Sequence, residues 1–409
     1  MHGSLAVLGG VGLVLGCASA GARPERGTAR VRPGIEVAVT DSAHLLRGRR
    51  VGLVTNQTGV DSRGVSDVEV LRASGVTLVA LFSPEHGFRG AADPGEPVGF
   101  ARDSATGLPI YSLYGRTSSP TDSMLEGVGV MVVDLQDVGA RYYTYISTAV
   151  EVMRAGARLG RPVVILDRPD PIGGAVQGAM LDTAFTSFVG RLRVPMRHGM
   201  TMGEMARLAN DELAIGAELH VVPADGWTRS TYFDETGLPF IAPSPNLRSL
   251  ESLFHYPGTC LFEGTSLSVG RGSDAAFEQV GAPWLDTTRV LGRMRGAGLP
   301  GVAFSGVAFT PRRPGDGKYA DTALAGIRMR VTDRAAYDPT LTAVHLLAAI
   351  RDVHPSELRW NPRHFDRLAG SSALRTALES GASPAAAAAG WADATAEFRE
   401  RAAKYLIYR

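Results

Sequence analysis

Between residue 35 and about residue 225 the chain alternates short, unbroken apolar runs with stretches whose apolar residues recur at helical spacing. Arg50–Thr55 ends in Asn56-Gln57-Thr58-Gly59, and Val65, Val68 and Leu71 then share one helical face with Gly75 as the stop. Val76–Phe82 ends in Ser83-Pro84-Glu85-His86-Gly87, Val128–Val133 in Asp134-Leu135-Gln136-Asp137, and Pro162–Leu166 in Asp167-Arg168-Pro169-Asp170. Between the last two, Ser147–Leu159 fits a helix. Continuous apolar strands need cover on both faces, and parallel strands need crossover helices. The pattern therefore predicts an α/β fold, with an open, Rossmann-like parallel sheet over residues 35–284.

A second, smaller α+β region is expected over 285–409. Gly301–Thr310 and Ala325–Val331 read as strands and Leu341–Ile350 as a helix, followed by a polar, helix-rich tail. Ala385–Ala389 belongs to a helix, since Trp391 and Phe398 continue an apolar pattern. At the other end, an apolar run closes with Val14-Leu15-Gly16-Cys17. It is short for a bilayer span and suits a signal-peptide core. The expectation is a lipoprotein signal over 1–17, lipidation of Cys17, a flexible tether over 18–34, and export to the cell envelope facing the periplasm. No Lys or Arg precedes the run, so an ordinary secretory signal and a secreted protein form the alternative.

Composition removes several function classes. Among 409 residues, 42 basic and 41 acidic side chains leave a net charge of +1, with no basic stripe for nucleic acid. Cys17 and Cys260 are the two cysteines, and no CxxC or HExxH supports a zinc site of familiar spacing. The first strand is followed by Asn-Gln-Thr-Gly, which lacks the glycine spacing of a dinucleotide turn. Gly9-Gly10-Val11-Gly12 falls in the signal segment, and Gly270-Arg271-Gly272 lacks the strand before and helix after it. No cofactor is expected.

Ligands of open parallel sheets bind outside the carboxyl ends of the strands. Four such ends here carry Asn56, Glu85 with His86, Asp134 with Gln136 and Asp137, and Asp167 with Arg168. The Gly- and Pro-rich stretch from Gly87 to Pro120, read as one long loop, starts at the same rim and would wall the cleft. Carboxylates, a histidine, arginines and amides in a polar cleft suit glycoside hydrolysis, which needs an acid for the leaving oxygen and a second group opposite. The tyrosines of Arg141-Tyr142-Tyr143-Thr144-Tyr145 would stack on a sugar or fill core.

Several motifs then match something known. Ser83–Gly90, Asp134–Tyr145, Asp167–Pro171, Pro243-Ser244-Pro245-Asn246, Tyr256-Pro257-Gly258-Thr259, Glu263–Gly272 and the terminal Tyr405-Leu406-Ile407-Tyr408 resemble the NamZ-like exo-β-N-acetylmuramidases, from about residue 36 onward. The resemblance implies a cleft between the two domains and release of terminal N-acetylmuramic acid from the non-reducing end of peptidoglycan fragments. Carried over by motif, Glu85 is the catalytic acid, His86 positions it or the substrate, and Glu263 is the second carboxylate. Asp134 and Asp167 compete for that second role or orient sugar hydroxyls. Asn56, Gln136, Tyr143 and Asn246 join the substrate-binding set. Arg89, Arg141, Arg168 and Arg271 are open candidates for the lactyl carboxylate of muramic acid, because a guanidinium fork matches it. His198 and His255 are read as structural. Pro84 and Phe88 flank Glu85, and apolar walls there would favour its neutral form. Two other readings remain: a non-catalytic cell-wall-binding lipoprotein, and a metal-assisted hydrolase using His86, Asp134, Asp137 and Asp167.

Overall fold

The computed structural model describes residues 1–3, 30–93 and 95–409. The expected lipidation site, Cys17, and nearly all of the expected signal and tether lie outside the described residues. In chain order the strands are β1 (Arg50–Thr55), β2 (Thr77–Ser83), β3 (Ala101–Arg102), β4 (Pro109–Ser112), β5 (Val130–Asp134), β6 (Val163–Leu166), β7 (Gln177–Met180), β8 (Pro195–Arg197), β9 (Leu219–Val222), β10 (Gln279–Ala282), β11 (Val302–Phe309) and β12 (Leu324–Val331). The main sheet has the order β3-β4-β2-β1-β5-β6-β9, parallel except for β3. From β1 the chain steps outward to β2 and β4. It then returns to the other side of β1 and steps outward again through β5, β6 and β9. The switch point lies between β1 and β5.

Alternation along the strands explains their unbroken apolar composition. Val51, Leu53, Val130, Val132, Val164 and Leu166 pack with helices Gly34–Val39 and Asp67–Ala73 on one face. Val54, Met131, Val133, Val163 and Ile165 pack with helices Tyr145–Leu159 and Met202–Glu212 on the other. Each such side chain, fully buried, contributes roughly 1.5–3 kcal/mol. The expected helix stop Gly75 is left-handed at φ 77°, and Gly160 ends the next helix in the same way at φ 61°.

Three expectations change. The stretch from Gly87 to Pro120 is not one loop. It contributes β3 and β4 to the sheet edge, with Ile110 paired to Leu81 and buried in the core, and strands this short show no period among Gly and Pro. The second sheet, β10-β12-β11, begins ahead of residue 285, since Val280 and Ala282 pair with Ile327 and Ala325. The alanine run forms a separate short helix, Pro384–Ala387, and left-handed Gly390 divides it from helix Trp391–Ala402.

Two glycines let the C-terminal region close on the sheet domain. A Cβ on Gly258 would lie 2.0 Å from the carbonyl oxygen of Pro339, so helices Leu250–Thr259 and Pro339–Val353 cross at that glycine. A Cβ on Gly264 would lie 2.5 Å from the Cα of Phe365, so helix Pro362–Ala369 lies directly on the turn that carries Glu263.

Candidate active site

A cavity of about 130 Å³ lies between the carboxyl end of β2 and the C-terminal region, and Glu85, His86, Tyr143, Glu263, Arg271 and His364 line it. Glu85 and His86 stand on the turn after β2. His86, which lines the cavity, is left-handed at φ 70°, a conformation that costs a non-glycine residue about 1–2 kcal/mol. Its Nδ1 lies 2.9 Å from the carbonyl oxygen of Ala92. A carbonyl only accepts, so the ring proton sits on Nδ1 and Nε2 offers a lone pair. Burial lowers the His86 pKa against the pull of Glu85, and the ring is neutral at neutral pH.

Both oxygens of Glu85 are held. Oε1 accepts from the backbone N–H of Gly95 at 3.0 Å and Oε2 from the hydroxyl of Thr144 at 2.6 Å. Burial, followed by the charge of Glu85, pushes the Tyr114 phenol up to about 12. Phe88 is not part of this wall, because it packs against the core on the helix Asp67–Ala73 side. The apolar lining comes from Val189, Leu247, Phe277 and Leu368.

The opposite wall carries Glu263, on the tight turn Cys260–Gly264 after helix Leu250–Thr259. Arg271 Nε lies 2.5 Å from Glu263 Oε1, and its guanidinium stacks over Phe277 at 5.0 Å. Burial pushes the Glu263 carboxyl up, but Arg271 foremost, then Lys318 and His364, outweigh it and hold the pKa below its ordinary value. Glu263 is therefore ionised. Lys318 Nζ donates to the carbonyls of Glu263, Thr265 and Leu267 at 2.8–2.9 Å, satisfying the end of the turn.

The remaining sequence candidates stand elsewhere. At the switch point, Asp134 and Arg168 form a buried ion pair, with Asp67 Oδ1 3.7 Å from the same guanidinium. This cluster stands where a Rossmann-type sheet would hold a ligand, and leaves only a small cavity of about 10 Å³ beside Arg168 and Gln136. Asp167 accepts from Thr201 at 2.6 Å, the Gly203 N–H at 2.8 Å and Tyr408 at 2.8 Å, tying the C-terminal segment to the sheet. Arg141 donates to the carbonyls of Ala179, Val194 and Leu368, and Gln136 to those of Asp137 and Pro169. Asn56 donates to the Tyr145 hydroxyl at 2.8 Å, which donates in turn to the Pro243 carbonyl. Tyr143 presents its ring to the cavity and gives its hydroxyl to the same Pro243 carbonyl at 2.8 Å. That carbonyl anchors the loop on which Ser244 faces the cavity, while Asn246 is buried behind it. Arg89 is exposed on the turn after His86. The four groups of the metal reading do not gather, and no cluster of three ligating side chains exists among the described residues.

His198 meets Asp137 at 3.2 Å and His255 meets Tyr337 at 2.6 Å, both away from the cavity. Cys260 is buried and lines the cavity, 3.7 Å from Glu263 Oε2. Thr144, Tyr256 and His364 were not assigned a role from sequence. Thr144 and Tyr256 fell inside quoted motifs, whereas the helix-start pair Asn361-Pro362 was the sole local signal near His364.

Comparison with known proteins decides the family. The descriptions Exo-beta-N-acetylmuramidase NamZ, N-terminal and C-terminal, match residues 51–251 and 254–408. The chain belongs to the NamZ exo-β-N-acetylmuramidase family. It is 41% identical over 382 residues to the peptidoglycan β-N-acetylmuramidase NamZ of Bacillus subtilis (strain 168), covering 93% of this chain and 92% of that one. Two crystal structures of DUF1343 family proteins from Bacteroides fragilis share the architecture. Their TM-scores are 0.85 and 0.77 at 32% and 31% identity, covering 93% of this chain and 99% of each of theirs. The α/β fold with its smaller C-terminal domain and the membership in a glycoside hydrolase family both agree with the motif reading.

Proposed function

We propose that this chain is an exo-acting glycoside hydrolase that removes N-acetylmuramic acid from the non-reducing end of peptidoglycan-derived saccharides, with Glu85 as the acid. The observation that carries the assignment is that Glu85, on the turn after β2, and Glu263, on the turn Cys260–Gly264, line one cavity in a chain of this family. The cavity, about 130 Å³, is smaller than the roughly 300–1,000 Å³ of pockets for drug-sized ligands and suits a single terminal sugar.

In this reading Glu85 gives its proton to the glycosidic oxygen as the bond to C1 breaks; water then adds its hydroxyl to C1, and its remaining proton returns to Glu85. Thr144 and Gly95 fix the carboxyl, and neutral His86 offers Nε2 to a sugar hydroxyl. Glu263, kept ionised by Arg271, opposes the positive charge that builds on the ring, directly or through the substrate's acetamido group. Glu85→Gln keeps the shape and removes the acid. Hydrolysis of a chromogenic N-acetyl-β-muramide should fall by roughly 10²–10⁴-fold with an unchanged circular dichroism spectrum. A wild type that turns over neither this substrate nor the natural disaccharide refutes the enzyme in favour of a cell-wall-binding protein.

Export and a lipid anchor on Cys17 belong to the same proposal, supported by Val14-Leu15-Gly16-Cys17 and by the location of the polymer whose fragments are the substrate. Fatty-acid labelling that persists in Cys17→Ser refutes the anchor.

A further inference from the structure

N-acetylmuramic acid differs from N-acetylglucosamine by a lactyl ether that ends in a carboxylate, and the walls described so far leave that group without a partner. Bringing an anion into a cavity that already holds Glu85 and Glu263 requires a cation that nothing else neutralises. The four arginines singled out in the sequence are set aside by ion pairing, by hydrogen bonding that uses their terminal nitrogens, or by exposure. Arg141 is spent on three carbonyls, Arg168 on Asp134 and Arg271 on Glu263, and Arg89 is exposed away from the lining. Lys318 is spent on the carbonyls of its turn.

Helix Pro362–Ala369 supplies what is missing. His364, Arg367 and Leu368 share one face at spacings of three and four, and His364 and Leu368 line the cavity. Arg367 meets no carboxylate among the described residues. One of its terminal nitrogens lies 2.8 Å from His364 Nδ1, and its Nε–H is buried with no acceptor. A guanidinium only donates, so His364 Nδ1 accepts and the ring proton sits on Nε2, where no protein group takes it. Burial foremost, with Arg367, Lys318 and Arg271 added, lowers the His364 pKa against the pull of Glu263. Arg367 itself stands next to the lining, through its contact with His364, and its charge opposes that of Glu85 on the Tyr114 phenol.

We propose that Arg367, together with the Nε2–H of His364, receives the lactyl carboxylate and is the residue that selects muramic acid over glucosamine. The inference rests on the muramidase reading. Wild type, Arg367→Met and Arg367→Lys are compared on three chromogenic β-glycosides: N-acetylmuramide, the same compound with its lactyl group as the primary amide, and N-acetylglucosaminide. Arg367→Met should lose roughly 10- to 100-fold in kcat/KM on the free acid, mostly through KM, and stay within about 3-fold on the two neutral substrates. Arg367→Lys, which keeps the charge without the fork, should fall between. Inhibition by free N-acetylmuramic acid should weaken in parallel and inhibition by its lactamide should not, which gives the same ratio where turnover of the neutral substrates is slow. An acid-to-amide ratio equal to wild type, or a parallel loss on all three substrates, overturns the assignment. A wild type inactive on all three overturns the muramidase reading instead.

Discussion

Replacing Arg168 by methionine removes the cation that faces two buried carboxylates. Arg168 is 5% exposed, and Asp134 and Asp67 are fully buried. Its Nη2 donates to Asp134 Oδ2 at 3.0 Å and to the Val60 carbonyl at 2.8 Å. Burial pushes the acids of Asp67 and Asp134 up, and the charge of Asp134 raises Asp67 further, while the Arg168 cation holds both down. Removing one partner of a buried pair costs about 3–5 kcal/mol, and the lost carbonyl bond adds about 1 kcal/mol. Methionine returns part of this by filling the space of the arginine stem, which leaves a loss of about 4 kcal/mol against a typical total of about 5–15 kcal/mol. At roughly 1–2 °C per kcal/mol for a chain of this length, the Tm should fall by about 4–8 °C.

Activity should behave differently, because no member of this cluster lines the cavity. Assayed well below its Tm, Arg168→Met should keep kcat/KM within about 3-fold of wild type. Without the guanidinium, the folded pKa of Asp134 rises further above its unfolded value. An acid raised in this way contributes stability that is present below the unfolded pKa and lost as pH rises through the folded one. The Tm gap between variant and wild type should therefore be widest near neutral pH and close toward about pH 4. A variant whose Tm moves by less than about 2 °C while its KM rises tenfold would refute the structural role and return Arg168 to the substrate.

Thr144→Val removes the hydroxyl that holds Glu85 and should lower kcat roughly tenfold, with Thr144→Ser restoring it; a fully active valine variant refutes this support of the acid. Burial pushes Asp167 up to about 7, against the donors Thr201, Gly203 and Tyr408, and its stabilising effect is complete below the unfolded pKa and lost as pH rises toward 7. Asp167→Asn should flatten the fall of Tm across that window by about half, since Asp170, also raised to about 7, contributes a second slope; an unchanged slope counts against it. Gly258→Ala forces a methyl group against the Pro339 carbonyl and should cost about 1–3 kcal/mol or more in urea titration, whereas an unmoved midpoint would mean that the two helices do not cross there.

The parallel sheet was legible in sequence because strands covered on both faces cannot hide. Val51–Thr55, Leu78–Phe82, Val130–Val133 and Val163–Leu166 are apolar on both sides, and each run ends where the strand ends to within a residue or two. The edge escaped because β3 and β4 are too short for a period to show. The strand ends were legible as polar, but their jobs were not. Glu85, two residues past the end of β2 on the cavity wall, and Asp134, the last residue of β5 in a buried ion pair, carry the same chemical group at the same rim of the sheet. Only the packing around them separates a group that meets solvent or ligand from one satisfied inside the protein. His364 and Arg367 lie far along the chain on an ordinary helix, and nothing local in sequence marks their helix as one that closes on Glu263.

The filled switch point accounts for where the cavity is. A Rossmann-type sheet offers its ligand a crevice between the two halves of the strand order, and here the buried Asp67, Asp134 and Arg168 leave only about 10 Å³ of it. The polar rim still runs on to the end of β2, where Glu85 and His86 stand. A rim on one domain supplies one carboxylate wall, and a two-carboxylate mechanism needs a second wall opposite it. The C-terminal region provides that wall through close contacts rather than through the sheet. Gly258 lets helix Pro339–Val353 settle against the helix that leads to Glu263, and Gly264 lets helix Pro362–Ala369 lie on the Glu263 turn itself. The glycines in Tyr256-Pro257-Gly258-Thr259 and in Glu263-Gly264 are thus packing requirements with a chemical consequence. A side chain at either one would push the C-terminal helices outward and move Glu263 and His364 away from Glu85, leaving the sheet domain intact but its cavity open on one side.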